Sequence, residues 1–248
     1  MSLFTYLLRL ADDNLILAQR LGEWSARAPD LEEDIAITNL GLDLLGQARF
    51  LLDHAGAVEG KGQGEDQLAF LREERQFLNV LLVEQPNGDF AHTIARQLFF
   101  DAYQVPLWEG LLASTDRVLA GIAGKAIKEA RYHLRHSWTW VVRLGDGTTE
   151  SHQRMQAAVD DLWRFTGEFF WSDEVERMLG VDGVAVDPGS LRTPWEQTIE
   201  AVLGEATIRR PEDGHQQLGG RRGLHSEHLG HLLAEMQYMQ RTYAGLQW

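Results

Sequence analysis

The sequence predicts an all-α fold, an antiparallel helical bundle elaborated by additional helices. Apolar residues recur at helical intervals through nearly every segment, and alternating strand patterns are almost absent. Gly, Pro and Asp mark short turns and helix caps between the segments. Nothing in the middle reads as a linker, so a single domain over residues 1–248 is expected.

The first helix is expected from Leu3 to Trp24, where Leu7, Leu10, Leu15, Leu17, Leu21 and Trp24 repeat at helical spacing ahead of Pro29. Asp30 followed by Glu33 resembles a capping box and starts a second helix running to about Ala55. Its apolar face includes Ile37, Leu40, Leu44, Leu45, Phe50 and Leu51 or Leu52. After the Gly-rich stretch Gly56 to Gly64, a third helix spans Asp66 to Glu84 and stops at Pro86-Asn87-Gly88. Asp89 caps a fourth, with Ile94, Leu98, Phe99, Ala102 and Val105 inward before Pro106 kinks or breaks it.

A fifth helix runs from about Asp116 to Leu144, and a sixth from Thr149 to about Trp171 with Met155, Val159, Leu162, Trp163 and Phe169 inward. A short helical piece follows at Asp173 to Leu179. Residues Gly180 to Leu191 are the least regular, and Val181, Val184 and Val186 could form a brief extended stretch. Two last helices are expected at Thr193 to Ile208 and His225 to Tyr243, separated by a Gly- and Arg-rich loop over residues 211 to 223.

Composition limits the function classes. Lys and Arg number 23 against 37 Asp and Glu, a formal charge of −14, so neither duplex nucleic acid nor an anionic membrane is an expected partner. A basic protein could still dock, and Arg209, Arg210, Arg221 and Arg222 could hold an anion locally or simply line a solvated loop. The absence of cysteine removes disulfides, thiolate metal sites and cysteine nucleophiles. Arg9, Asp12, Asp13 and Arg20 interrupt the first apolar stretch, so no export signal is expected there and the cytoplasm is the expected location. No run reaches the roughly 18 apolar residues of a membrane-spanning helix.

The run Lys128-Glu129-Ala130-Arg131-Tyr132-His133 has the shape of an iron-binding Glu-x-x-His helix with alanine in place of the first ligand. Bundle-type di-iron centres need a carboxylate one turn before a histidine, because residues three apart share a helix face. Glu129 is four residues before His133 and out of that register. A histidine among Ala126, Tyr132, Trp140 and Val141 is more often a hydrogen-bonded core residue than a ligand.

His225, His228 and His231 recur every three residues around Glu227 and form the strongest intact ligand-like cluster, though no second ligand-bearing segment accompanies them. Glu212-Asp213-Gly214-His215 is formally Glu-x-x-His, but Pro211 and Gly214 put it in a loop. Neither a Gly-x-Ser-x-Gly elbow nor a phosphate-binding loop is present, and the eight tryptophans read as core and interface anchors.

Four longer runs carry a family resemblance. Residues Asn39-Leu40-Gly41-Leu42-Asp43-Leu44-Leu45-Gly46-Gln47-Ala48-Arg49, Leu82-Val83-Glu84-Gln85-Pro86-Asn87-Gly88, Ala126 to His133, and Gly223-Leu224-His225-Ser226-Glu227-His228-Leu229-Gly230 resemble the structural C subunits of bacterial phenylacetyl-CoA 1,2-epoxidases. The resemblance extends from the first helix to Gln247-Trp248. It implies a ferritin-like bundle with a degenerate metal site, serving as a non-catalytic scaffold in aerobic phenylacetate breakdown. The implied partner is a catalytic A subunit that carries the di-iron centre and binds the CoA thioester, together with the other epoxidase subunits. A flavin and iron-sulfur reductase using NADPH would supply its electrons. A homodimer is also possible. No catalytic, cofactor-binding or metal-ligating residue is expected in this chain.

Set against an Asp-Glu-x-x-His pattern, the second helix offers Leu44 and Gln47 after Asp43, and the fifth offers Ala130 and His133. Leucine and alanine have no donor atom, and a glutamine amide is a weak substitute for imidazole. Asp101, and Asp12 or Asp13, could occupy remaining carboxylate positions. If Asp43, Asp101 and His133 converge without metal, Arg49, Arg96, Lys125 or Arg131 are candidate counter-charges. Two rival readings stay open: a di-iron oxygenase with an atypical ligand set of Asp43, Asp101, His133 and first-helix carboxylates, and a free-standing acyl-CoA-binding helical module using the arginine-rich loop.

Overall fold

The computed structural model describes residues 2–244; Gln247 and Trp248, to which the resemblance extends, lie outside the described residues. The α-helices in chain order are α1 (Ser2–Gly22), α2 (Leu31–Glu59), α3 (Glu65–Phe70), α4 (Leu81–Glu84), α5 (Phe90–Leu111), α6 (Arg117–Gly145), α7 (Thr149–Leu162), α8 (Glu174–Val181), α9 (Arg192–Glu205), α10 (Glu227–Met236) and α11 (Tyr238–Thr242). No strand occurs among the described residues.

The chain divides into two compact units. The first joins residues 1–86 to 218–248, and the second is the intervening segment 87–217.

In the first unit α1 packs along α2, because Leu7, Leu10, Leu17 and Leu21 of one and Ile37, Leu40, Leu44 and Leu51 of the other are all buried. Asp30 caps α2 by accepting from the Glu33 N–H at 2.8 Å, as its sequence position predicts. Phe50 departs from expectation and is 52 % exposed.

The helix expected over residues 66 to 84 is the main departure from what the sequence predicts. Only α3, a 3-10 turn at Glu74–Gln76 and the single turn α4 form there. A continuous helix would commit the Leu78 and Val80 N–H groups to carbonyls one turn back. They donate instead to Asp12 Oδ2 and Asp13 Oδ1, each at 2.8 Å, and this holds the intervening chain extended. The last predicted helix is likewise divided at Gln237, whose side chain donates to the Ala69 and Arg72 carbonyls.

The Gly-rich segment after Leu218 lies against residues 75 to 79. A Cβ on Gly220 would fall 2.0 Å from the Asn79 carbonyl oxygen, and one on Gly223 2.2 Å from that of Arg75. Gly223 also adopts φ 71°, a left-handed conformation that favours glycine.

In the second unit α5 and α6 pack together with α7 and α9 alongside. Asp89 and Asp116 cap α5 and α6 through the His92 and Leu119 N–H groups. α5 passes through Pro106 without interruption, since buried residues on most of its circumference outweigh the proline's local cost of about 3 kcal/mol. The expected sixth helix tightens to 3-10 turns over Trp163–Phe170, where Thr166 Oγ1 donates to the Trp163 carbonyl.

There Phe99, Trp163 and Trp195 meet with ring centroids 5.6 to 6.1 Å apart, and Trp195 Nε1 donates to the Phe99 carbonyl at 2.9 Å. The extended stretch expected around Val181, Val184 and Val186 does not form. Val181 closes α8, and the N–H groups of Val184 and Ala185 both point to the Leu179 carbonyl.

Gly220→Ala is expected to destabilise the fold by about 1–3 kcal/mol, because the contacting atom is backbone and cannot step aside. Gly121→Ala in α6, where an added Cβ meets nothing within 4 Å, is expected to stabilise by about 0.5–1 kcal/mol. Urea denaturation of both variants checks the opposed signs.

Candidate functional site

In the second unit, α5 and α6 bring Asp101 and His133, two of the three residues whose convergence the sequence left open, to a common buried region. Ala130 is buried one turn before His133, at the position where a ligand helix carries glutamate. Gln97 Nε2 donates to Asp101 Oδ1 at 2.6 Å, and Ser137 Oγ lies 2.8 Å from Asp101 Oδ2 and 3.2 Å from the His133 carbonyl oxygen. A hydroxyl has one proton to donate; if it goes to the carbonyl, Asp101 must supply the proton of the other bond. Burial pushes the Asp101 carboxyl from 3.8 up to about 6, against the opposing pull of His133, Ser137, Gln97 and His136. Hydrogen-bond partners thus occupy both oxygens that a cation would otherwise engage.

Bundle-type di-iron centres draw on four carboxylates and two histidines across four helices. The α5–α6 pair offers one carboxylate already engaged at both oxygens and the imidazoles of His133 and His136, which do not make such a ligand set. No group of three or more His, Asp or Glu among the described residues is arranged to hold a metal ion.

The expected counter-charges are engaged elsewhere. Arg49 pairs with Glu65 and Arg131 with Glu109, both at 2.7 Å, and Lys125 lies 3.5 Å from Glu129. Arg96 is fully buried and donates to Asn87 Oδ1 at 2.6 Å. Asp43 belongs to α2 of the first unit and is half-buried.

The first unit holds its own set of buried charges. Asp12 grips the Arg72 guanidinium through both oxygens, with Nη1 to Oδ2 at 2.9 Å. Asp13 grips Arg221 the same way at 3.0 and 2.7 Å, and Arg221 also donates to the Arg9 and Leu78 carbonyls. Burial raises the Asp13 carboxyl from 3.8 to about 6 despite Arg221 and the Val80 N–H. Asp12 and Asp13, read as possible ligand positions, are therefore structural anchors. Arg221, read as part of an anion-holding loop, is buried and spent on Asp13. Arg209 and Arg210 pair with Asp160 and Asp213, and Arg210 lies over the Trp163 ring at 5.0 Å.

The three histidines do not converge into a ligand cluster. His225 precedes α10, with its side chain fully buried, while His231 is exposed on the helix. His225 Nδ1 faces Glu84 Oε2 and Nε2 faces the Phe77 carbonyl, each at 2.8 Å. A carbonyl only accepts and a carboxylate prefers a donor, so the ring is held as imidazolium. Burial works against that charge, but Glu84 and the carbonyl prevail and raise the imidazole above 6.5. No sequence signal pairs Glu84 with His225 across 141 residues.

Arg221→Met would leave Asp13 buried without its counter-charge, and a loss of about 3–5 kcal/mol is expected in urea denaturation. Asp101 binds its proton more tightly folded than unfolded, so its contribution to stability falls as pH rises from about 4 to about 6 and is flat above that. Asp101→Asn is expected to lose less stability across that window than the parent chain, as read from melting temperature against pH.

Comparison with known proteins agrees with this architecture. The chain is 56% identical over 246 residues, covering 99% of each sequence, to the C subunit of the 1,2-phenylacetyl-CoA epoxidase of Escherichia coli (strain K12). The family model described as phenylacetic acid catabolic protein matches residues 1–248, and the all-α, ferritin-like fold class follows. A chain matched along its full length by that model, and this similar to a protein of phenylacetyl-CoA epoxidation, belongs to the phenylacetic acid catabolic protein family.

Proposed function

We propose that this chain is a non-catalytic structural component of a phenylacetyl-CoA 1,2-epoxidase complex, binding and stabilising a di-iron catalytic subunit in aerobic phenylacetate catabolism. The observation that carries the reading is the 56% identity, over 99% of both chains, to a protein named as the C subunit of such an epoxidase. The chemistry of the interior supports the non-catalytic part. Leu44 and Ala130 have no donor atoms, Asp101 is satisfied by Gln97 and Ser137, and Asp12 and Asp13 are bound to arginines.

On this reading the iron belongs to the catalytic subunit, and flavin, iron-sulfur and NADPH chemistry belongs to a reductase. The complex works in the cytoplasm. What this chain contributes is a rigid helical surface rather than a reactive group, and obligate partners are held by such surfaces.

Co-expression with the catalytic subunit is expected to give one joint peak in gel filtration. The chain purified alone is expected to contain no stoichiometric iron and to turn over no phenylacetyl-CoA with reductase present. Two irons per chain with unaided turnover would overturn the proposal, as would two separate peaks.

A further inference from the structure

The outer face of α2 is apolar where a solvated helix should be charged. Leu31, Ile35 and Leu42 are 70, 54 and 59 % exposed, and Thr38, Asn39, Leu45 and Gly46 share their side of the helix. From Ile35 to Gly46 the only charged side chain is the half-buried Asp43. The opposite face, with Ile37, Leu40, Leu44 and Leu51, is buried, so α2 is apolar on two sides. For that reason α2 alone among the described helices is long and apolar enough to pass for a membrane span by length and composition.

Gly46 supplies a second observation. It sits in the interior of a long helix, where glycine costs about 1 kcal/mol relative to alanine, yet an added Cβ would meet nothing within 4 Å. Gly41, by contrast, faces inward against Leu21 and Ala18. The packing of this chain explains Gly41 but neither Gly46 nor Gly121 of α6, and of these two Gly46 lies on the exposed apolar strip beside Leu42. A glycine flanked by Leu42 one turn before it makes a shallow notch on the surface, into which the side chain of another helix can fit.

The ends of the strip identify what covers it. α2 carries six acidic residues, Glu32, Glu33, Asp34, Asp43, Asp53 and Glu59, against one basic residue, Arg49, which is already paired with Glu65. A second copy packed antiparallel on this strip, with Leu31 opposite Gly46, would bring Glu32 of one chain near Asp43 of the other, two like charges at each end of the contact. The same acidic ends repel an anionic membrane. A different protein, with an apolar helix flanked by basic side chains, meets both the apolar centre and the acidic ends.

Resting on the function proposed above, we infer that the Leu31–Ile35–Leu42–Gly46 strip of α2 is the docking surface for a non-identical helical subunit of the complex, one whose contacting helix is apolar with basic flanks. The two central positions can be altered without touching the core, since Leu42 points outward and Gly46 has open space above it.

The test is co-expression of the parent chain, Leu42→Lys and Gly46→Lys with the catalytic subunit, followed by affinity measurement on the purified proteins. Tyr132→Lys, on the exposed side of α6, serves as the surface control. Both α2 variants are expected to keep the parent melting temperature within a few degrees and to bind about 10- to 100-fold more weakly, the effect of losing one buried leucine or filling a close contact. The control is expected to bind like the parent. Binding by the α2 variants as tight as the parent's would overturn the assignment of this surface and leave the proposed function standing. Failure of the parent itself to bind would overturn both. A parent homodimer that either α2 variant converts to monomer would show that a second copy covers the strip, which also overturns the inference.

Discussion

Two neighbouring carboxylates on α1 determine how the first unit is closed. Asp12 and Asp13 each take an arginine through both oxygens, and those arginines come from positions 72 and 221, far apart in the chain. The remaining valence of the same carboxylates goes to the backbone N–H groups of Leu78 and Val80. One turn of helix therefore fixes the path of residues 72 to 80 and ties the segment after residue 217 to the N-terminal helices. Each carboxylate takes a full guanidinium and a backbone N–H together, which offsets part of the cost of burying these ions. Breaking the frame at any one arginine leaves an uncompensated charge in the interior.

The second unit handles a buried acid by a different route. Asp101 faces Gln97, Ser137 and two histidines rather than an arginine, and burial favours its protonated form. Hydrogen bonds from Gln97 and Ser137 engage both carboxyl oxygens, so the buried acid has polar partners without any further charged side chain. Leu44 and Ala130 offer no donor atom, while Ser137 bridges the Asp101 carboxyl and the His133 carbonyl oxygen.

Much of this was legible in one dimension. The α1, α2, α5, α6 and α7 periodicities are long, and their aspartate and threonine caps appear where the sequence places helix starts. The missing glutamate before His133 is visible as a residue identity and needs no coordinates. Residues 66 to 84 were not legible, because the composition is helical and only the competing carboxylates of α1 draw the N–H groups away. Arg221 read as surface for the same reason: an arginine among glycines looks solvated until its partner 208 residues earlier is placed beside it.

The sequence alone determined the fold class, the helix order and the chemical poverty of the ligand positions, since periodicity, capping and the presence of a donor atom are properties of local residue identity. Only the tertiary structure decided which charges are buried and paired, that Glu84 meets His225, and that the apolar strip Leu31–Ile35–Leu42 faces outward. Those outcomes depend on which distant segments come within hydrogen-bonding or van der Waals reach, and a hydrophobic period on a helix apolar on two sides does not say which side the core will take.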